Sequence, residues 1–151
     1  MIFDVIHEFD LANHLFGPAC TIAACARNTG LLDIESEDCA DIVLEHESGL
    51  FSSLHIDYIT RPKQRRIEVA GDNGFMEIDL VERRMRIQDQ DGNITFEKTW
   101  SARVDNDYRE EMAHFIRCVC GEDEPRCDGR EALSVLRQVL AARKMSGLPK
   151  A

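Results

Sequence analysis

Residues 39–60, CADIVLEHESGLFSSLHIDYIT, decide the fold because they predict two β-strands joined by a short turn. Apolar and polar residues alternate on both sides of Ser48-Gly49, a pair that is typical of a hairpin turn. Further strands are predicted at CTIAACA (20–26), RRIEVAG (65–71), FMEIDLVE (75–82), RRMRIQDQ (83–90) and NITFEKTW (93–100). Consecutive hairpins of this kind predict an open antiparallel sheet, with one face covered and the other available.

Helical periodicity flanks these strands. Residues 3–16 predict a helix that ends at Gly17-Pro18, with Ile2, Val5, Ile6, Phe9, Ala12 and Phe16 on one side. Two closing helices are predicted at 105–121 and 128–147, each with an apolar stripe. The stripes are Tyr108, Met112, Phe115, Ile116 and Val119, then Leu133, Leu136, Val139 and Leu140. We therefore expect an α+β fold: an open antiparallel sheet packed on one face by the N-terminal helix and two C-terminal helices. A chain of 151 residues fits one domain, residues 1–151.

Composition narrows the class of protein. A net charge of −10 argues against nucleic acid, which normally requires a basic face. No apolar run approaches the roughly 20 residues that span a bilayer. The first seventeen residues lack a basic start and carry acidic groups, so they do not resemble a signal peptide. We expect a cytoplasmic protein that does not bind membranes.

Two basic runs interrupt this acidic chain, RPKQRR at 61–66 and ERRMR at 82–86. One interpretation is that they attract a small anionic group. The other is a solvated strand edge, where Lys and Arg discourage edge-to-edge association.

The six cysteines show no C-x-x-C spacing, so neither zinc nor a disulfide framework is predicted. Cys20, Cys25, Cys39 and Cys118 lie among apolar residues, where we expect reduced thiols acting as small core side chains.

The first helix carries the best candidate chemistry. His7, Asp10 and His14 share one face by their spacing, and Asp4 lies one turn earlier. Histidine is the usual proton shuttle near neutral pH, and a neighbouring carboxylate orients it. A solvated polar face and a metal site are the alternatives. The zincin pattern H-E-x-x-H fails because its second histidine would be Leu11.

Other candidates are weaker. Tyr58 ends a long strand and either reaches a ligand or packs. His46, His55 and His114 are expected to be surface or satisfied core residues. Neither G-x-G-x-x-G nor a P-loop occurs, so the chain cannot bind a dinucleotide by either usual route.

The motifs resemble those of the Gfo/Idh/MocA oxidoreductases. DVIHEFDLANHLFG (4–17) is similar to the D-x-x-H-E-x-D-x-x-x-x-L-F-G segment of a shorter-spaced subgroup, which is associated with amino-sugar and nucleotide-sugar pathways. Residues 37–80 resemble the family's sheet through E-D-x-A, G-x-x-x-S-L-x-x-D-Y, R-P and G-x-x-G-x-x-E. Residues 108–147 resemble its Y-x-x-E-M-x-x-F and D-G-x-x-A-L-x-V-L helices.

The resemblance implies the C-terminal domain of an NAD(P)-dependent sugar or cyclitol oxidoreductase. By that likeness His7 is the acid–base residue, and Asp4 orients the substrate or His7. We expect Asp10, His14, Tyr58 and Arg61 to contact a sugar-like substrate. The family domain also mediates oligomerisation, which implies a homodimer through the open sheet face, and Ile56, Phe75 and Ile87 are expected on that face.

The family's N-terminal Rossmann domain and its E-K-P lysine have no counterpart in this sequence. We therefore expect a truncated product or a fragment that binds no cofactor alone and is inactive by itself, although NAD or NADP serves the complete enzyme. The alternative is a stand-alone dimerisation module, or a subunit that pairs with a separate Rossmann protein. A metal-dependent hydrolase using His7, Asp10 and His14 is a third hypothesis.

Overall fold

The structure is a computed structural model that describes residues 1–101 and 104–148. In order, the elements are α1 (Ile6–Phe16), β1 (Ala19–Arg27), β2 (Cys39–His46), β3 (Phe51–Asp57), β4 (Arg66–Gly71), β5 (Gly74–Asp79), β6 (Arg84–Gln88), β7 (Ile94–Thr99), α2 (Val104–Val119) and α3 (Gly129–Met145). One helix, seven strands and two helices confirm the predicted α+β class.

The strands form two antiparallel sheets, β1-β2-β3 and β4-β5-β6-β7. The chain accordingly divides into two compact units. The first unit contains Met1–Ile59 together with residues 126–148, and the second contains Thr60–Pro125.

The hairpin predicted for residues 39–60 forms as expected. β2 pairs with β3 from Cys39 opposite Asp57 to Glu45 opposite Phe51. Gly49 takes a positive φ of 84° in the turn, a conformation that glycine adopts without steric cost. This hairpin forms the centre and one edge of the first unit's sheet.

The first unit is built around a buried apolar core. α3 packs on β1, and α1 packs on α3 and β3. The core comprises Met1, Ile2, Phe9, Ala12, Ala26, Ala40, Ile42, Leu44, Ile56, Val135, Val139 and Ala142. The predicted apolar side of the first helix therefore faces this core.

Hydrogen bonds fix the C-terminal end of α1. Gly17 has a φ of 85° and ends the helix as predicted. The buried His46 ring lies 2.7 Å from the Gly17 carbonyl through Nδ1 and 2.7 Å from Ser52 Oγ through Nε2. The Asn13 and buried Gln138 side chains exchange two hydrogen bonds of 3.1 and 3.0 Å. His46 is thus a satisfied core residue, as predicted.

In the first unit, three predictions about faces are wrong. Ile56 is buried, because it lies opposite Ala40 on the core side of the sheet. Cys20 and Cys25 are exposed rather than in the core, because the strand pleat turns them to the opposite face of β1. Short apolar strands do not reveal which of two alternating sets faces inward.

The second unit is a meander with an apolar face. Across β4, β5, β6 and β7, the register aligns Val69, Met76, Ile87 and Phe96 in one row. The adjacent row on the same face is Ile67, Ile78, Met85 and Lys98. Phe75 pairs with Gln88 instead, so it lies on the opposite face from Ile87, and the prediction that both lie on one open face is wrong. The stripe of α2 is exposed, with Phe115 at 61% and Val119 at 71%.

Candidate functional site

Asp4, His7 and Asp10 lie on the surface of the first unit, at the start of α1 and just before it. We call these three residues the motif face. Because Phe9 and Ala12 hold the other side of α1 in the core, His7 projects outward with its side chain 54% exposed. Its Nε2 lies 3.3 Å from Glu8 Oε1. The imidazole is therefore accessible to a ligand and has a carboxylate beside it that orients the ring.

Asp4 is paired with Tyr58, a contact that joins the turn before α1 to the end of β3. The Tyr58 hydroxyl donates to Asp4 Oδ2 at 2.7 Å. Burial and this hydrogen bond raise the pKa of Tyr58 to about 12. Tyr58 therefore remains a donor at physiological pH, and it fixes the position of an otherwise exposed carboxylate.

Asp10 and His14 have other surroundings. Cys127, just before α3, places its Sγ 4.0 Å from Asp10 Oδ1. Burial, followed by the charge of Asp10, raises the pKa of the Cys127 thiol. His14 is exposed near the end of α1. Within the described chain, no ion pair joins Asp10 to His7 or His14, and the predicted roles of the three residues stay predictions.

A buried ion pair supports the start of this segment. Glu37 Oε1 accepts the Ile2 N–H at 3.0 Å and lies 3.0 Å from Arg143 Nη1 on α3. Burial alone would raise the pKa of Glu37, but hydrogen bonds from the backbone at Ile2 and at Glu37 itself hold it below its ordinary value. The Arg143 guanidinium also lies over the Phe3 ring, 4.8 Å from its centroid. The spacing rules missed both charged residues; the E-D-x-A landmark contained Glu37, and no quoted motif contained Arg143.

Arg61 lies in the second unit. Its guanidinium donates to the Thr60 carbonyl at 2.9 Å, and its side chain is exposed. The proposed contact between Arg61 and a substrate stays a prediction.

A separate polar cluster lies on the open face of the three-stranded sheet. His55 Nδ1 lies 2.7 Å from Asp41 Oδ1, and Nε2 lies 3.3 Å from Asp57 Oδ2. The hydrogen bond to Asp41 is the main reason that the pKa of His55 is raised. Ser53 and Glu45 share this face, which is polar around His55, although Val43 and the exposed Phe51 also lie on it.

The described residues do not fit a dinucleotide. A Rossmann site requires parallel strands joined through a helix, with a glycine-rich turn at the helix start. Every strand pair in the described part of the chain is antiparallel. No three His, Cys, Asp or Glu side chains converge into a metal-holding group in residues 1–101 and 104–148. No helix there is long and apolar enough to cross a membrane.

Known proteins share this architecture. A family profile described as the C-terminal alpha/beta domain of an oxidoreductase family matches residues 2–146, which includes parts of both units. D-apiose dehydrogenase of Paraburkholderia graminis is 30% identical, in an alignment that covers 90% of this chain and 40% of that enzyme. The chain thus spans well under half the length of this curated relative.

Solved structures give the same result for the fold. An oxidoreductase from Agrobacterium radiobacter, solved with NAD+, L-tartaric acid and magnesium, has a TM-score of 0.74 at 22% identity and matches 95% of this chain and 45% of its own. The WlbA dehydrogenase from Bordetella pertussis, solved with NADH and UDP-GlcNAcA, has a TM-score of 0.69 at 23% identity, with 98% and 47% covered. At these identities, the likeness establishes the fold.

Proposed function

Because the chain belongs to the Gfo/Idh/MocA oxidoreductase family as its C-terminal α/β domain, we propose that it forms the substrate-binding wall of a sugar or cyclitol dehydrogenase. The observation that carries this proposal lies on the motif face: an accessible imidazole beside the Glu8 carboxylate, on a helix whose other side is fixed in the core. Functional side chains on a rigid element keep their geometry better than those on loops.

His7 acts as the proton acceptor in this proposal. Oxidation of a hydroxyl to a carbonyl releases a proton and a hydride, and the imidazole takes the proton. The carboxylate of Glu8 supports the ring in its orientation. An oriented general base of this kind accelerates a reaction by about 10²–10⁴-fold.

The neighbouring groups bind and orient the substrate. Asp4 has one carboxylate oxygen engaged by Tyr58, and its other oxygen is suited to accept a hydrogen bond from a sugar hydroxyl. Asp10 and His14 extend the polar surface along α1. These roles all suit a ligand with several hydroxyl groups.

Two relatives support a sugar as the substrate class. The P. graminis relative is named for its action on D-apiose, and the B. pertussis structure contains a nucleotide sugar. Both ligands present adjacent hydroxyl groups. We therefore favour a sugar or cyclitol and propose a cytoplasmic setting for the complete enzyme.

In the proposed enzyme, the hydride acceptor is bound outside the described residues. Since the described residues do not fit a dinucleotide, we propose that a Rossmann domain, either in the same polypeptide or in a separate subunit, supplies NAD or NADP. This chain alone is then expected to be inactive.

The apolar face of the second unit supports the proposed homodimer. Val69, Met76, Ile87 and Phe96 form a continuous row on a sheet with few charges on that side. Contiguous apolar surface of this kind typically marks an interaction site. We propose that this face, rather than the polar face around His55, joins two copies.

A chimera tests the proposed activity. The C-terminal segment of the P. graminis D-apiose dehydrogenase is replaced by residues 1–148 of this chain, and NAD(P)-dependent oxidation is measured on a panel of pentoses, hexoses and inositol. We expect oxidation of at least one panel member. Nucleotide binding by the chimera, measured by fluorescence, verifies that the Rossmann half is folded. A chimera that binds NAD(P) but oxidises none of these compounds would contradict the proposal.

Sedimentation, combined with the chimera assay, distinguishes the proposed dehydrogenase domain from the alternative, a non-catalytic dimerisation module. Sedimentation of the chain alone should show a dimer, and Ile87→Glu should shift it to monomer while Phe75→Glu, on the opposite face, should not. A dimer together with an inactive, nucleotide-binding chimera would favour the module. A wild-type monomer at all concentrations would refute the interface.

A further inference from the structure

The two basic runs of the sequence meet at one cleft in the second unit. This cleft of about 470 Å³ lies among the segment before β4, the β5–β6 turn and the first turns of α2. Lys63 and Arg65 come from RPKQRR, and Arg83 comes from ERRMR. Its volume falls within the roughly 300–1,000 Å³ that is usual for small-molecule sites.

A buried carboxylate holds the β5–β6 turn. Asp79 Oδ1 accepts the N–H groups of Val81 at 3.0 Å and Glu82 at 2.9 Å, and Oδ2 lies 3.3 Å from Arg66 Nε. Arg83 follows with a φ of 52°, the left-handed region that residues other than glycine rarely adopt. Its carbonyl accepts the Trp100 N–H at 2.9 Å. The turn is thus built to present Arg83 in one orientation.

α2 forms the opposite wall, which is acidic. Arg83 Nη2 lies 2.6 Å from Asp107 Oδ2. Glu111 lies one helical turn beyond Asp107, on the same side of α2, and like charges at this spacing repel. Arg83 compensates one of the two carboxylates. The cleft therefore contains an excess of positive charge together with an acceptor, Glu111, and the Tyr108 ring.

We propose that the charged cleft (Lys63, Arg65, Arg83, Asp107, Tyr108 and Glu111) binds a small organic phosphate with adjacent hydroxyl groups, a sugar phosphate in chemical class. Lys63 and Arg65 bind the phosphate oxygens, as ammonium and guanidinium groups do with charge-assisted hydrogen bonds. Glu111 accepts hydrogen bonds from hydroxyls, and the Tyr108 ring packs against the sugar. Asp107 remains paired with Arg83 and fixes that wall.

Charge and size exclude larger anions. A nucleic acid would meet the carboxylates of α2 and the chain's net charge of −10. The volume accommodates one small molecule. This proposal rests only on residues of the second unit and stands independently of the role of His7.

NMR titration of the isotope-labelled chain tests the proposal, with glucose 6-phosphate as the probe. We expect saturable shifts of the amide signals of Val81, Glu82 and Tyr108. Glucose at the same concentration should leave them unchanged, and inorganic phosphate should shift them at higher concentration. Shifts that do not saturate, or that sodium chloride of matched ionic strength reproduces, would overturn the proposal.

Variants locate the two halves of the ligand. Lys63→Gln and Arg65→Gln should each weaken glucose 6-phosphate binding about tenfold. Arg86→Gln is the matched control, since that guanidinium pairs with Glu97 at 2.8 Å outside the cleft. Glu111→Gln should weaken the sugar phosphate but not inorganic phosphate.

Two results would contradict this assignment. Equal weakening by Lys63→Gln and Arg86→Gln would indicate general charge screening. Tighter binding of both probes by Glu111→Gln would show that Glu111 only repels the phosphate. The amide spectrum of each variant verifies that the second unit is folded.

Discussion

The two units of this chain use sheets of the same kind in opposite ways. In the first unit, the three-stranded sheet and two helices enclose every apolar side chain of the buried core. In the second unit, Asp79, at 6% exposure, is the one buried residue among those whose burial is described. Phe9 of the first unit has no exposed surface, whereas Phe96 of the second is 43% exposed.

This difference indicates a division of work. The first unit has a core sufficient to hold α1, and therefore the motif face, in a fixed position. The second unit leaves an apolar sheet face half-buried and the apolar stripe of α2 exposed, which is the property of a surface that meets something else.

Truncating one phenylalanine in each unit gives the largest contrast. Phe9→Ala should lower the free energy of unfolding by about 4 kcal/mol, because it opens a cavity in a packed core. Phe96→Ala should cost about 0.5 kcal/mol at low protein concentration, because its ring is already partly in water. Urea unfolding followed by circular dichroism measures both. Similar losses would remove the contrast.

Breaking one ion pair in each unit should show the same contrast in stability, with the larger loss in the first unit. Arg143→Met removes the guanidinium from the buried Glu37, which keeps the Met1 ammonium at 3.3 Å, and should cost about 2 kcal/mol. Arg86→Met in the second unit breaks an exposed pair and should cost under about 1 kcal/mol. If the double variant Arg143→Met with Glu37→Gln were no more stable than Arg143→Met, the ion-pair explanation would fail.

In acid, the second unit should lose the stabilisation that the Asp79 carboxylate provides. Hydrogen bonds from Glu82, Val81 and Arg66 outweigh burial and hold the pKa of Asp79 below its ordinary 3.8. A lowered pKa means that the carboxylate stabilises the fold above that ordinary value, and that this contribution disappears as the pH falls through the folded-state pKa.

The matching variant is Asp79→Asn, which should cost about 1–2 kcal/mol at neutral pH. The difference from wild type should shrink as the pH falls below about 4. Fluorescence of Trp100, the single tryptophan, reports unfolding of this unit. A difference that is constant with pH would contradict the assignment.

The smallest effect concerns the polar face of the first unit. Asp41→Asn should lower the pKa of His55 toward its ordinary value of 6.5, because the main hydrogen bond to a charged acceptor is lost. Glu45→Gln on the same face is the control and should change the pKa of His55 less. NMR titration of the imidazole signals measures both. An unchanged pKa of His55 in the Asp41→Asn variant would show that Asp57 is the dominant partner.

Periodicity and turn chemistry were sufficient to predict the elements. Ser48-Gly49 located the central hairpin, and Gly17-Pro18 located the end of α1. At the start of α3, Asp128 forms the predicted N-cap and accepts the N–H groups of Arg130 and Glu131. These signals are local, so they survive without knowledge of the tertiary structure.

The sheet face that a side chain occupies, and the residue that it contacts, depended on long-range packing. The pattern of β3 allowed Ile56 on either face, and only the register with Ala40 turned it inward. The spacing of His7 and Asp10 permitted a contact, but Asp10 lies near Cys127 from a distant part of the sequence. The contact between Asp4 and Tyr58 spans 54 positions and could not follow from helical spacing.

The most direct test of the central claim is the rate of hydride transfer in the chimera carrying His7→Asn, compared with His14→Asn. We predict that His7→Asn lowers kcat by about 10²–10⁴-fold with the KM for NAD(P) unchanged, because only the proton acceptor is removed. His14→Asn should change kcat by less than about tenfold, since we assign it to substrate contact alone. Equal and small losses in the two variants would contradict the assignment of His7 as the proton acceptor.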